Sequence, residues 1–357
     1  MKIAFTGSIF FNQKIGGISR YYVNLVSQLN LNNVDAKIFA PLNKNLYLKE
    51  LHKKYKTSNY LSRFPESKIF YFINESLSNL CINSSKPDIV HETYYSKNIE
   101  KLKGYKKVVT IYDLIHEKFH ENYSKSKINE KNNTIKSADH FICISKKTQQ
   151  DFIKYYNVSI DKTSVVYLGS NHFNINEEKS NENELSNYVL YVGSRKKYKN
   201  FQILHNALNQ INKNIKLKLI CFGGEKIEND EIRKIPSNIH VQQVFGNDNE
   251  LAKLYKNALC FINTSSYEGF GIPNIEAMYL GCPVLCSDIE VFREICGDSS
   301  LYFDPNNPQE LAQKIELLID DKNTSIQLKK KGKAKAQLFT WKNCALDTID
   351  VYDKLVK

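Results

Sequence analysis

Residues 258–278 read Ala-Leu-Cys-Phe-Ile-Asn-Thr-Ser-Ser-Tyr-Glu-Gly-Phe-Gly-Ile-Pro-Asn-Ile-Glu-Ala-Met. The opening run, 258–263, is continuously apolar up to Asn263, the pattern of a strand buried on both faces. A short loop follows, then a helix that stops at Gly281. Pro273 suits the first helical turn, where its missing N–H is not needed. Gly269 and Gly271 let the backbone come close to a ligand. The free N–H groups of such a helix start attract an anion. Two carboxylates flank the segment, Glu268 in the loop and Glu276 in the helix. A carboxylate there is a poor phosphate ligand but a good acceptor for sugar hydroxyls.

The same strand-then-helix grammar repeats in both directions. Strand-like apolar runs stand at 2–6, 35–40, 88–91, 107–111, 139–144 and 163–168, and again at 188–193, 217–223, 258–263, 283–286 and 300–303. Between the first two, Tyr22, Leu25, Val26 and Leu29 fall at i, i+3, i+4 and i+7, one face of a helix. Phe201, Leu204, Leu208 and Ile211 mark another, and helices are expected at about 308–320 and 341–356. Strands alternating with helices imply parallel sheets. Residues 170–187, rich in Asn and Glu and poor in apolar side chains, read as a linker. A chain of 357 residues is about two domains long. The expected organisation is therefore an amino-terminal domain 1–170, a linker 171–187, a second domain 188–340 and a terminal helix 341–357. Two doubly wound α/β halves put a cleft at the carboxyl ends of both sheets.

Charge separates the halves. Residues 1–170 carry 26 basic and 14 acidic side chains; residues 171–357 carry 24 of each. The whole excess of +12 sits in the first half. That half should attract something anionic: nucleic acid, a phosphorylated substrate or an acidic membrane surface. No helix-turn-helix, zinc-finger or RNA-binding signature accompanies it, so nucleic acid is not expected. No run of about 18 apolar residues is present to span a membrane. The amino end lacks the apolar core and cleavage site of a signal peptide, which points to the cytoplasm. The eight cysteines lie scattered in apolar stretches without a C-x-x-C pair and read as reduced core residues.

The segment Glu-Gly-Phe-Gly-Ile-Pro-Asn-Ile-Glu-Ala-Met resembles the E-x(7)-E motif of retaining, nucleotide-sugar-dependent glycosyltransferases of GT-B fold, specifically family four. Glu268 and Glu276 hold the two Glu positions. The resemblance implies that Glu268 binds donor sugar hydroxyls and Glu276 the ribose, with the backbone of Phe270, Gly271, Ile272, Pro273 and Asn274 facing sugar and diphosphate. Tyr191 to Asn200 is similar to the segment in which an Arg and a Lys neutralise the diphosphate, positions matched by Arg195 and Lys199. Developing charge on the leaving group must be stabilised, and no D-x-D metal motif stands nearby, so metal-independent chemistry is expected. Lys196 and Lys197 read as a solvated basic turn. Gly16 and Gly17, between the first strand and its helix, would bring backbone N–H groups toward the donor phosphates. Arg20 is left between cleft and solvent.

On the acceptor side, Thr110 to Phe119 resembles the family's T-x-H-D segment, with Tyr112 where His is common. Asp113 and His116 are candidates to orient or deprotonate the acceptor hydroxyl. His91, at the end of its strand, and Tyr112 are further acceptor-side candidates. Tyr94, Tyr95 and Tyr123 can stack on sugar, though packing is the commoner role. Trp341 opens a terminal helix that would brace the two domains. The resemblance implies transfer of a hexose from a nucleotide diphosphate sugar to a glycan acceptor in surface polysaccharide synthesis. The donor is read as a GDP-sugar such as GDP-mannose ahead of a UDP-sugar. The acceptor is read as lipid-diphosphate-linked, at the inner face of the cell membrane, and no cofactor is implied. A nucleotide-sugar epimerase of the same fold and a non-catalytic basic scaffold remain as alternatives. A dehydrogenase is disfavoured, because no G-x-G-x-x-G follows the first strand.

Overall fold

The computed structural model describes residues 1–65, 67–96, 99–119, 125–170, 173, 187–195, 197–228, 232 and 235–357. All of the expected linker except residues 173 and 187, together with Tyr123 and Lys196, lies outside the described residues. The chain divides into two compact units, one of Met1–Gly169 with Trp341–Lys357 and one of Ser170–Thr340.

Each unit is built on one sheet in which every pairing is parallel. The first holds β1 (Lys2–Phe5), β2 (Asp35–Asn43), β3 (Lys56–Tyr60), β4 (Ile89–Glu92), β5 (Lys106–Ile111), β6 (His140–Cys143) and β7 (Thr163–Val165). Their order across the sheet is β3-β2-β1-β4-β5-β6-β7. The second holds β8 (Tyr188–Val192), β9 (Leu217–Phe222), β10 (Ile239–Val244), β11 (Cys260–Asn263), β12 (Val284–Ser287) and β13 (Ser300–Phe303), in the order β10-β9-β8-β11-β12-β13. The order turns back between β1 and β4, and again between β8 and β11. In such sheets ligands bind beyond the carboxyl ends of the strands on either side of that turning point.

The central strands are buried throughout and largely apolar because helices cover both faces. All four residues of β4, β6, β11 and β12 are buried. In the second unit Val189, Leu204, Leu219, Ile262, Leu285 and Ile315 share one core. In the first, the helix Trp341–Val356 packs on the helix Gly17–Leu31, with the Trp341 and Tyr21 rings 6.2 Å apart. The cysteines are free thiols, all buried but the half-buried Cys81. Among the described residues no helix is long and apolar enough to cross a membrane.

The sequence reading did not name β3, β10 or several helices, among them Lys322–Ala336 and Lys68–Ser85. β3 (Lys-Thr-Ser-Asn-Tyr) is an edge strand without an apolar run, and β10 alternates toward solvent at the other sheet's edge. The helix Lys322–Ala336 buries Ser325, Leu328, Gly332 and Ala336, mostly small side chains that leave no apolar period to read. The helix Lys68–Ser85 turns most of its apolar residues outward.

Candidate functional site

The second unit's turning point brings the two strongest sequence motifs together. β8 ends at Val192 and leads into Arg195 and Lys199; β11 ends at Asn263 and leads into Glu268 and the helix Ile272–Tyr279. Lys199 Nζ pairs with Glu268 Oε1, which also accepts a hydrogen bond of 2.9 Å from Ser265 Oγ. Both ends of the pair are partly open to solvent, 24% for Lys199 and 15% for Glu268. Thr264 Oγ1 donates to the Lys199 carbonyl at 2.6 Å, which ties the two loops into one body. The lysine read as a phosphate partner and the carboxylate read as a sugar-hydroxyl acceptor thus neutralise each other.

Arg195 lies against the loop after β9. Its backbone N–H donates to Glu225 Oε2 at 3.1 Å, its guanidinium donates to the Glu225 carbonyl, and its plane lies 5.6 Å from the Phe201 ring centre. Gly224 (φ +73°) is needed there, because a Cβ would stand 2.4 Å from the Gly193 carbonyl oxygen. Gly271 (φ +98°) opens the helix, and a Cβ on it would come within 2.7 Å of the Phe292 ring. No side chain caps this helix; Pro273 has no N–H and the Asn274 N–H is bonded to the Gly271 carbonyl, so the Ile272 N–H is the one of its first three positions left to an anion. Asn274 is fully buried; its Oδ1 accepts from Asn263 Nδ2 at 2.8 Å, its Nδ2 donates to Cys296 Sγ at 3.5 Å and its N–H donates to the Gly271 carbonyl at 3.0 Å. Phe270 packs edge-on against Phe339, 5.7 Å between centroids. Glu276 is buried and accepts from Tyr255 Oη at 3.3 Å. Burial, then the adjacent Glu276 charge, push the Tyr255 phenol well above its ordinary range. Sequence reasoning missed Ser265 and Asn263, whose only signal is position at the end of a buried strand.

In the first unit the candidates divide. Gly16 and Gly17 begin the helix Gly17–Leu31; a Cβ on Gly16 would meet the Gln13 side chain at 2.3 Å, while Gly17 faces open space. Arg20 lies over the Tyr47 ring and donates to its hydroxyl at 2.5 Å. Asp113 is half-buried, and its Oδ1 accepts the Ile115 N–H at 3.0 Å just ahead of the short helix Ile115–Lys118. His116, on that helix, sits edge-on to Tyr95 at 6.4 Å. Beneath them, at the root of the segment, Lys131 and Glu117 form an ion pair of 2.8 Å, each side chain 1% exposed. Tyr156 Oη also donates to Glu117, and Lys131 reaches the Asp113 carbonyl at 3.0 Å.

His91 departs from its expected placement. It is fully buried, its Nδ1 is 2.5 Å from Tyr352 Oη and its Nε2 2.8 Å from Thr110 Oγ1. With both ring nitrogens engaged inside the core it is a packing residue, stacked on Phe5. Burial holds its pKa down to about 3. Tyr112 is likewise buried, edge-on to Tyr21 and Tyr22.

The residue beside His91 was missed. Glu92 ends β4 at the first sheet's turning point, is 2% exposed, and accepts from Thr6 Oγ1 (2.5 Å) and Ser8 Oγ (2.8 Å). Burial pushes its carboxyl up to about 7, against those hydrogen bonds. A raised folded pKa means stability is complete below the unfolded value near 4.5 and is lost as pH rises through 7. Glu92→Gln escapes that loss. Between pH 5 and pH 8 the variant should gain roughly 2–3 kcal/mol relative to the parent in urea unfolding. His91 loses stability in the opposite direction, as pH falls from 6.5 toward 3, and cancels in the comparison. Parallel pH profiles for the two proteins would remove the buried carboxyl from this account.

Comparison with known proteins agrees with this arrangement. Residues 15–172 match the model described as Glycosyltransferase Family 4, and residues 172–335 the model described as Glycosyl transferases group 1. The O-antigen chain mannosyltransferase B of Escherichia coli is 31% identical over 47% of this chain and 46% of its own length. The N-acetylgalactosamine-N,N'-diacetylbacillosaminyl-diphospho-undecaprenol 4-alpha-N-acetylgalactosaminyltransferase of Campylobacter jejuni is 25% identical, over 59% of each. The match thus spans about half the length of these curated relatives. In fold, the structure of Anabaena HepE in complex with UDP-glucose superimposes with a TM-score of 0.75 over 99% of this chain and all of that one, at 18% identity. Two parallel sheets with the turning-point order, matched in sequence by one family model after the other, make this chain a member of glycosyltransferase family four, with the GT-B fold.

Proposed function

We propose that the protein transfers a hexose, with retention of configuration, from a GDP-sugar such as GDP-mannose to a lipid-diphosphate-linked glycan during surface polysaccharide assembly. The observation that carries this reading is the Lys199–Glu268 pair at the turning point of the second sheet, beside Arg195 and the uncapped helix led by Gly271. An incoming diphosphate would draw Lys199 away from Glu268. The freed carboxylate would then accept hydroxyls of the donor sugar, and Glu276 those of the ribose. Gly16 and Gly17 of the first unit would offer N–H groups to the same diphosphate. The bond from the sugar's anomeric carbon to the diphosphate oxygen breaks as the acceptor hydroxyl adds on the same face. Its proton passes to the departing diphosphate. Lys199 and Arg195 balance the developing charge in place of a divalent metal. Asp113 and His116 would orient the acceptor. The names of the Escherichia coli and Campylobacter jejuni relatives support the mannose donor and the lipid-diphosphate acceptor respectively. The basic first half supports work at an anionic membrane on the cytoplasmic side.

The test is a thermal-shift series with GDP, UDP, ADP and dTDP and their sugar conjugates. A ligand at about 100 times its dissociation constant stabilises by about 2.7 kcal/mol, a plain rise in melting temperature. GDP and GDP-mannose should give that rise with EDTA present as well as absent. A flat response to every nucleotide by the folded protein overturns the reading, and dependence on added metal overturns its electrostatics.

A further inference from the structure

The helix Lys68–Ser85 packs inside out. Its buried side places Ile82 in the core with Phe39 and Val90 and two polar residues against β2: Asn74 Oδ1 accepts the Leu42 N–H (3.1 Å) and its Nδ2 donates to the Leu42 carbonyl (2.7 Å), while Ser78 Oγ donates to the Phe39 carbonyl (2.6 Å). These bonds engage β2 where its register with β3 shifts between Ala40 and Leu42. They fix the helix together with Ile82, and most of its large apolar residues are left outside. Ile69 is 76% exposed, Phe72 55% and Leu80 65%, with Ile73 and Leu77 between them. At 100° per residue these five fall within one arc of the helix, a continuous stripe. Monomeric soluble proteins rarely leave such a stripe uncovered.

The surroundings identify what covers it. The exposed positions of the helix, Ile69 to Ser84, include no acidic residue. Lys101 Nζ stands 4.8 Å over the Phe72 ring. Lys37 borders the groove beside Leu80 and Cys81, and Lys86, in a left-handed conformation, ends the helix. The half of the chain that carries this stripe also carries the whole net charge of +12. A second copy seated stripe to stripe would press these lysines together, while the helix's own carboxylate, Glu75, is half-buried and accepts from Ser96 Oγ at 3.1 Å. An anionic bilayer answers both features: lipid tails take the apolar arc and phosphate headgroups take the lysines. We propose that the helix Lys68–Ser85 is a membrane-docking surface that lies in the interface of an anionic bilayer, with Ile69, Phe72, Ile73, Leu77 and Leu80 inserted. This deepens the reading of a lipid-linked acceptor and rests on it for its purpose, though not for its measurement.

The experiment is vesicle flotation of the full chain with phosphatidylcholine alone and with about 30 mol% phosphatidylglycerol added. The parent should float with the anionic vesicles. Phe72→Ser with Leu77→Ser should lower that partition at least about tenfold, because two exposed side chains lose their apolar insertion. The double variant should keep the parent's melting shift with GDP, which shows that it folds. Phe72→Trp should float like the parent, and its emission should move to the blue on binding. Undiminished flotation of the double variant overturns the assignment, as does a parent that binds neither vesicle. A parent dimer in light scattering that the double variant converts to monomer, without vesicle binding, also overturns it and gives the stripe to self-association. Vesicle binding by a parent that ignores every nucleotide leaves this inference standing and removes the donor proposal instead.

Discussion

Glu268→Ala should lower sugar transfer by about a hundred- to a thousandfold, the scale seen when one preorganised polar group is removed from a transition state. The expected loss is specific in kind. Glu268 is assigned to the sugar and Lys199 to the diphosphate, so affinity for GDP should hold or rise once Lys199 loses its internal partner. Stability should fall by less than about 1 kcal/mol, since the Lys199–Glu268 pair is partly open to solvent at both ends and surface pairs of this kind are weak. Steady-state transfer, GDP titration and urea unfolding of one variant separate these outcomes. A variant that transfers at the parental rate would break the assignment of the site. A variant that loses GDP binding along with transfer would move Glu268 to the nucleotide.

Lys131→Met should have the opposite profile, a large loss of stability with the donor site untouched. Lys131 and Glu117 are each 1% exposed, and Glu117 also accepts from Tyr156. Removing the cation alone strands a buried carboxylate, which costs about 3–5 kcal/mol. Replacing both, as Lys131→Met with Glu117→Leu, should recover most of that, because apolar substitutes of similar volume do not have to be desolvated. The cycle of four proteins in urea at neutral pH reads the coupling directly. A single variant that loses under about 1 kcal/mol would mean that the pair is not closed off from water as described. The pair sits at the root of the segment bearing Asp113 and His116, so any change in acceptor KM in the double variant reports on how rigidly that segment must be held.

The contrast between these two sites tracks what a sequence can disclose. The proposed donor half could be written down from sequence because its candidates lie in contiguous strings: a buried strand, a glycine-bearing loop and a helix start carry Glu268, Gly271 and Glu276 within one short span. The central strands were legible for a related reason, since burial on both faces leaves unbroken apolar runs. The first unit depends on residues brought together from a distance. Thr6 and Ser8, just past the end of β1, meet Glu92 at the end of the neighbouring β4, and Lys131 meets Glu117 from another helix. Neither pairing leaves a spacing to find. His91 misled because strand-end position alone suggests exposure, whereas its partner Tyr352 comes from the far end of the chain. The edge strands β3 and β10 lack the covered faces that make strands conspicuous. The helix Lys68–Ser85 has the right period, and what its sequence hides is which side faces the sheet.

The return of the last helix to the first unit has a bearing on how the protein is made. The ribosome releases residues 1–169 long before Trp341–Val356, yet Tyr21 lacks Trp341, and His91 lacks Tyr352, until that helix arrives. The amino-terminal unit therefore waits, with part of its aromatic core uncovered, through synthesis of the entire second unit. The contiguous second unit can complete its own sheet in the meantime. The order of folding is thus set against the order of synthesis, and the nascent first unit is the stage at which a holding chaperone has something to cover.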